Sequence, residues 1–172
     1  MTEHPRRIDR VLSDSFLAGI DDQSVDELHA MERESLEIET EISYVRRLAQ
    51  GRIDILEAER DRRAAGGSLG DLIAALPKIL ADEGGHSDQA NTRAQPMLAP
   101  SGSIEWNRGL ERLVSDATLV NLPNLSDAEL QATLGQLREL EKDLSTRRRA
   151  LHAVIDSITH AVAERLAANT TG

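Results

Sequence analysis

Glu39, Ser43, Arg46, Gln50 and Asp54 follow one another at steps of 4, 3, 4 and 4 residues. On an α-helix, at about 100° per residue, these offsets fall within roughly 80° of one another and make one polar stripe. The residue types suit the reading of a nucleobase. An arginine presents a donor fork that matches guanine O6 and N7, or a phosphate. A carboxylate accepts from a paired donor edge, and guanine N1–H and N2–H₂ form such an edge, whereas adenine has an acceptor at N1. Serine and glutamine add contacts to phosphate or base. Taken alone, the stripe is better read as a solvated helix face carrying weak ion pairs.

A second copy removes much of that ambiguity. Glu141, Ser145, Arg148, His152 and Asp156 repeat the pattern 102 residues later, without a gap. Both copies read E-x3-S-x2-R-x3-Q/H-x3-D. The same shift superposes Ser24 on Ser126, Glu27 on Glu129, Leu28 on Leu130, Glu37 on Glu139, Arg47 on Arg149 and Ile53 on Ile155. Shared helical periodicity would match apolar positions. It would not by itself match Ser, Arg and Asp. Drift after duplication would erode exposed polar residues first.

The elements that must hold these stripes are helices. The chain of 172 residues has one Phe, one Tyr, one Trp and no cysteine, and its apolar content is almost all Leu, Ile, Val and Ala. Sheets favour β-branched and aromatic residues, and long helices favour Leu, Ala, Glu, Arg and Gln, so the composition predicts an all-α fold. Ser24-Val25-Asp26-Glu27 and Ser126-Asp127-Ala128-Glu129 both read as capping boxes that open a helix. Arg60, Arg62 and Arg63 near the negative end of the macrodipole, then Gly66-Gly67, close the first helix. Apolar seams run through Leu28, Met31, Ile38, Ile42, Val45, Ala49, Ile53 and Leu56 in the first helix. In the second they run through Leu130, Leu134, Leu137, Leu140, Leu144, Leu151, Ile155, Ile158 and Val162, with Arg147 as an interruption. Each member of the first stripe sits one residue after a seam position.

The predicted layout is a long antiparallel two-helix coiled-coil hairpin with short accessory helices and a partly disordered linker. An N-terminal arm covers 1–23, the first motif-bearing helix 24–65, a linker 66–125, the second motif-bearing helix 126–168, and a tail 169–172. Within the linker, Leu69 to Leu80 reads as a short amphipathic helix bent at Pro77. Residues 84–102, rich in Gly, Pro, Ser, Asn and Gln, read as disordered, and 104–120 as a further short helix around Trp106. If the helices pack antiparallel along their seams, both stripes emerge on the same face and form one composite site with two-fold symmetry. A two-fold ligand carrying two guanines and two phosphates fits such a site, and cyclic di-GMP is that ligand. Arg47, Arg52, Arg147 and Arg149 lie close enough in sequence to soften its repulsion by an acidic chain.

Composition narrows the function further. The absence of cysteine excludes disulfides, thiolate metal sites and a Cys nucleophile. A formal net charge of −10 disfavours direct DNA binding, which draws its affinity from phosphate neutralisation, and suits a basic protein surface instead. Residues 1–10 contain no apolar signal region, and no apolar run approaches bilayer length, so a soluble cytoplasmic protein without membrane association is expected. No H-E-x-x-H, P-loop or GxGxxG signature appears, and a hairpin has no deep pocket, so no enzyme activity and no catalytic residue is expected. His152, Asp156 and His160 share one helix face and raise a metal-dependent enzyme as a weaker reading. The repeat speaks against it, because the first copy has Gln50 where the second has His152, and no bound metal is expected. His4, His29 and His86 read as surface or tail residues.

The repeated motif resembles the signature of the RsiG anti-sigma factors of actinobacteria. The copy from Glu39 to Asp54 matches in full, and the second departs only in having His152 in place of Gln. The resemblance covers the two long helices well and the linker and arm poorly. It implies a hairpin that holds a dimer of cyclic di-GMP as regulatory ligand. It also implies that the loaded protein sequesters a WhiG-type sporulation sigma factor and so blocks transcription. The short apolar elements, 8–20 and 69–80, could touch the sigma factor or pack on their own hairpin. The competing reading is a ligand-independent coiled-coil adaptor, which explains the seams and caps but not the matched polar positions.

Overall fold

The computed structural model describes residues 7–81 and 121–170. The expected disorder at 84–102 and the helix expected at 104–120 lie outside them, as do His4 and His86. Among the described residues the fold is all-α and contains no strand. The described residues form, in chain order, α1 (Arg7–Val11), α2 (Val25–Ala64), α3 (Leu69–Ala81) and α4 (Asp127–Thr170). Short 3-10 turns precede α2 at Ile20–Asp22 and α4 at Leu122–Asn124. The two long helices, of 40 and 44 residues, pack against each other as an antiparallel hairpin.

Both helices start where the sequence marks them. The Ser24 and Ser126 amides each donate to the glutamate three residues on, at 2.8 Å in both boxes. The Glu27 and Glu129 amides donate back to the serine hydroxyls at 3.3 Å. The reciprocal bonds satisfy amides that a helix start otherwise leaves bare. A third box, Ser68 with Asp71 at 2.7 Å, opens α3. α2 stops at Gly66, whose φ of +69° is the left-handed conformation that costs glycine little. There the Gly67 amide donates to the Arg62 carbonyl and the Gly66 amide to that of Arg63, as in a Schellman cap. Pro77 lies inside α3.

The chain divides into two compact units: Met1–Ser43 with Ser145–Gly172, and Tyr44–Leu144. In the first unit the opening part of α2 meets the closing part of α4. Leu28, Ile158, Ala161 and Val162 form a buried cluster, with Phe16, Leu17, Ile20, Met31 and Val154 packed against it. The N-terminal arm therefore belongs to this core. Val11 is buried, and Arg7 and Arg10 hold it to α2 through Glu37 and Glu34. Arg147, the interruption in the α4 seam, pairs with Asp9 of the arm at 3.4 Å. An arginine at that place thus binds an accessory element.

In the second unit the closing part of α2 meets the opening part of α4. All the predicted seam leucines of α4 in this unit, Leu130, Leu134, Leu137, Leu140 and Leu144, are buried, as are Val45, Ala49 and Leu56 of α2. Within this unit one seam position differs from the expectation, as the partly buried Met31 does in the first unit. Ile53 is only partly buried, while Ile55 is buried at 8% exposure. Gly51, Arg52 and Glu59 are also buried, so α2 hides a broader face here than a narrow two-helix seam requires. α3 buries Leu72 and leaves Leu69 and Ile73 exposed.

Candidate functional site

The stripe residues meet in two clusters, one in each unit. In the first unit Glu39 is buried beside the seam. Its Oε1 accepts from Ser43 Oγ at 2.7 Å, Arg148 Nε at 2.9 Å and His152 Nε2 at 3.2 Å. Arg148 Nε also donates to Ser43 Oγ at 2.9 Å. Burial alone would push the Glu39 carboxyl up. The hydrogen bonds from Ser43, Arg148 and His152, with the Arg148 charge, outweigh it and hold the group below the usual carboxylate range. Ser145 is half-buried and Asp156 exposed on the same helix.

In the second unit Glu141 Oε1 accepts from Arg46 Nη1 and from Gln50 Nε2, both at 3.2 Å. Asp54 is half-buried one turn beyond Gln50. The pairing rule is the same in both clusters. The glutamate of one copy receives the arginine and the Gln or His of the other copy. Glu39 takes Arg148 and His152, and Glu141 takes Arg46 and Gln50. Each unit therefore assembles a carboxylate acceptor beside an arginine fork from two distant stretches of chain. A carboxylate beside an arginine fork can receive a guanine's donor edge and give to its acceptors or to a phosphate. Among the described residues, no group of three or more His, Asp or Glu side chains is arranged to hold a metal ion. His160 pairs with its neighbour Glu164 at 3.4 Å.

A model of the RsiG-like family matches residues 14–80 and 116–171. The chain belongs to the RsiG-like family. Membership indicates an anti-sigma role in its broad form, with a sigma factor as partner. No curated protein matches the chain. Among the described residues of this RsiG-like chain, no helix is long and apolar enough to cross a membrane.

The flanking arginines do not act alike. Arg47 and Arg149 are exposed. Arg52 is instead buried at 7% exposure, with Nη1 on the Leu48 carbonyl at 3.2 Å. A further polar cluster escaped the sequence reading. Glu59 is fully buried and accepts from Arg62 Nε at 2.6 Å and Nη2 at 2.8 Å, and from Arg63 Nε at 2.6 Å. These hydrogen bonds, Arg62 first, overcome burial and lower the Glu59 carboxyl to about 2. Arg63 reaches on to the carbonyls of Leu122 and Leu125 and to Asp127 Oδ1 at 2.8 Å. The signal was available in the spacing, since Arg62 and Arg63 lie three and four residues after Glu59.

Proposed function

We propose that this RsiG-like chain is an anti-sigma factor that binds cyclic di-GMP through its two clusters and, when loaded, sequesters a WhiG-type sigma factor. It works as a binding protein, not a catalyst, in the cytoplasm and without contacting DNA directly. The observation that carries this reading is the crossed pairing. In each unit a Glu from one motif copy faces an Arg and a Gln or His from the other. Guanine offers what each group lacks, a donor edge for the carboxylate and acceptors for the arginine. Two such clusters match a ligand with two guanines, and a pair of stacked ligand molecules supplies the remaining base and phosphate contacts.

Binding must replace the existing Glu–Arg contacts with ligand contacts. The Arg46–Glu141 pair is only partly buried, so exchange there is feasible at modest cost, and the buried Glu39 costs more to re-pair. Titration calorimetry with cyclic di-GMP and cyclic di-AMP, with and without the candidate sigma factor, tests the proposal. It expects heat from the guanine form alone and sigma binding that depends on it. Equal sigma affinity with and without nucleotide would make the ligand irrelevant to the switch. One observation favours a second reading. The stripe residues satisfy one another, as they would in a ligand-independent coiled-coil adaptor. That reading expects no heat from either nucleotide.

A further inference from the structure

We infer that the two clusters are unequal and load in order, the Arg46–Gln50–Glu141 cluster first and the Glu39–Ser43–Arg148–His152 cluster second. This inference rests on the guanine-binding reading and specifies how that site fills. The repeat makes the clusters equivalent on paper, and their surroundings make them different.

The carboxylates differ in access. The Glu39 side chain is 8% exposed and the Glu141 side chain 25% exposed. A base edge can approach Glu141 directly, whereas at Glu39 the covering groups must first move. The existing contacts differ in the same direction. Arg148 Nε meets Glu39 Oε1 at 2.9 Å. The contacts to Glu141 Oε1 from Arg46 and Gln50 are each 3.2 Å. The shorter charge-assisted bond is the stronger one, so the Arg148–Glu39 pair resists exchange more than the Arg46–Glu141 pair.

The arginines differ most. Arg148 Nε is committed twice, to Glu39 Oε1 and to Ser43 Oγ. Arg46 Nε is buried and has no hydrogen-bond acceptor. A buried donor without an acceptor is costly, and a guanine or phosphate oxygen placed there recovers that cost. The same oxygen at Arg148 must compete with two acceptors already in place. A ligand therefore gains a new hydrogen bond at Arg46 and only trades one at Arg148.

The arginine side-chain Nε–H resonances of the ¹⁵N-labelled full chain report the order directly. During titration with cyclic di-GMP, the Arg46 signal is expected to move at the first additions and the Arg148 signal only later. Calorimetry gives an independent reading. Arg46→Ala is expected to remove the tighter step. Arg148→Ala is expected to leave that step within about threefold and weaken the later one by at least about tenfold, the size of one charge-assisted hydrogen bond. Arg148 moving first, or both signals moving together with equal losses in the two variants, overturns the ordering while leaving the guanine-binding reading intact. No shift and no heat in the wild type overturns both.

Discussion

Two carboxylates among the described residues, Glu59 and Glu39, are buried and held below the usual range, and their partners differ in origin. Glu59 takes its donors from its own helix, Arg62 and Arg63, and through Arg63 ties the end of α2 to the start of α4. Glu39 takes two of its donors from the other motif copy, Arg148 and His152. The repeat separates the two roles. Shifting Glu39 by 102 positions lands on Glu141, but shifting Glu59 lands on Ala161, and Arg62 on Glu164. A carboxylate that anchors one helix end has no reason to recur. One that reads half of a two-fold ligand, as proposed for Glu39, would recur. Burial and a lowered carboxyl therefore do not single out a site here, and the proposed site rests on recurrence with crossed partners.

Several measurements would break or sharpen that contrast. The largest effect is expected at Glu59. Glu59→Ala should cost about 3 kcal/mol of stability in denaturant melts, the scale for losing one partner of a buried ion pair. Cyclic di-GMP affinity should be unchanged. A loss of ligand affinity without loss of stability would move Glu59 into the site and dissolve the distinction.

Acid should act on the same anchor. Glu59 falls from an ordinary 4.5 to about 2 in the folded chain, so its contribution is complete above the unfolded value. It is lost as pH falls from about 4.5 toward 2, on the order of 3 kcal/mol in total. The lowered carboxyl of Glu39 adds in the same sense. Glu59→Ala should flatten the fall in stability between pH 5 and 2 measured by thermal melting. A slope unchanged by the substitution would place the acid sensitivity elsewhere.

The site arginines should behave in the opposite way. Arg46→Ala or Arg148→Ala should weaken cyclic di-GMP binding by about 1 to 3 kcal/mol, as for loss of a bidentate base contact. Melting without ligand should change by less than about 1 kcal/mol for Arg46→Ala, the range for partly exposed pairs, and by more for Arg148→Ala, which leaves the buried Glu39 without its charge partner. Normal binding by either variant would remove that arginine from the site. The smallest effect is expected at the helix starts. Ser24→Ala and Ser126→Ala should each cost about 1 kcal/mol, and nearly equally, because their boxes share the same geometry. Neither should alter ligand affinity, since each box lies far along its helix from the stripe.

Much of this was legible in the sequence because helices write locally. Capping boxes need only a serine and a glutamate three residues apart, and both long helices begin at them. The α4 seam follows heptad spacing, and every predicted position is buried. The repeated stripe is likewise local, since a fixed shift of 102 positions exposes it without knowledge of packing. The all-α hairpin and the family relationship follow from these features alone.

Tertiary structure decided what local spacing does not encode. Partner choice is one case: Arg148 turns to Glu39 across the helix pair, not to Glu141 on its own helix, because side chains beside a packed seam meet the opposite helix. Burial is another. Glu39 and Arg52 look solvated by residue type, and Ile53 looks buried by heptad count. The broader covered face of the closing part of α2 hides Arg52 and Ile55 and leaves Ile53 half out, while Arg148 and His152 of the opposite helix reach over Glu39. The role of the arm is a third, since its few apolar residues gain meaning only against the Leu28–Ile158 cluster. Each is a matter of which surfaces meet, and a linear pattern specifies which face a helix offers but not how deeply each residue on it is covered.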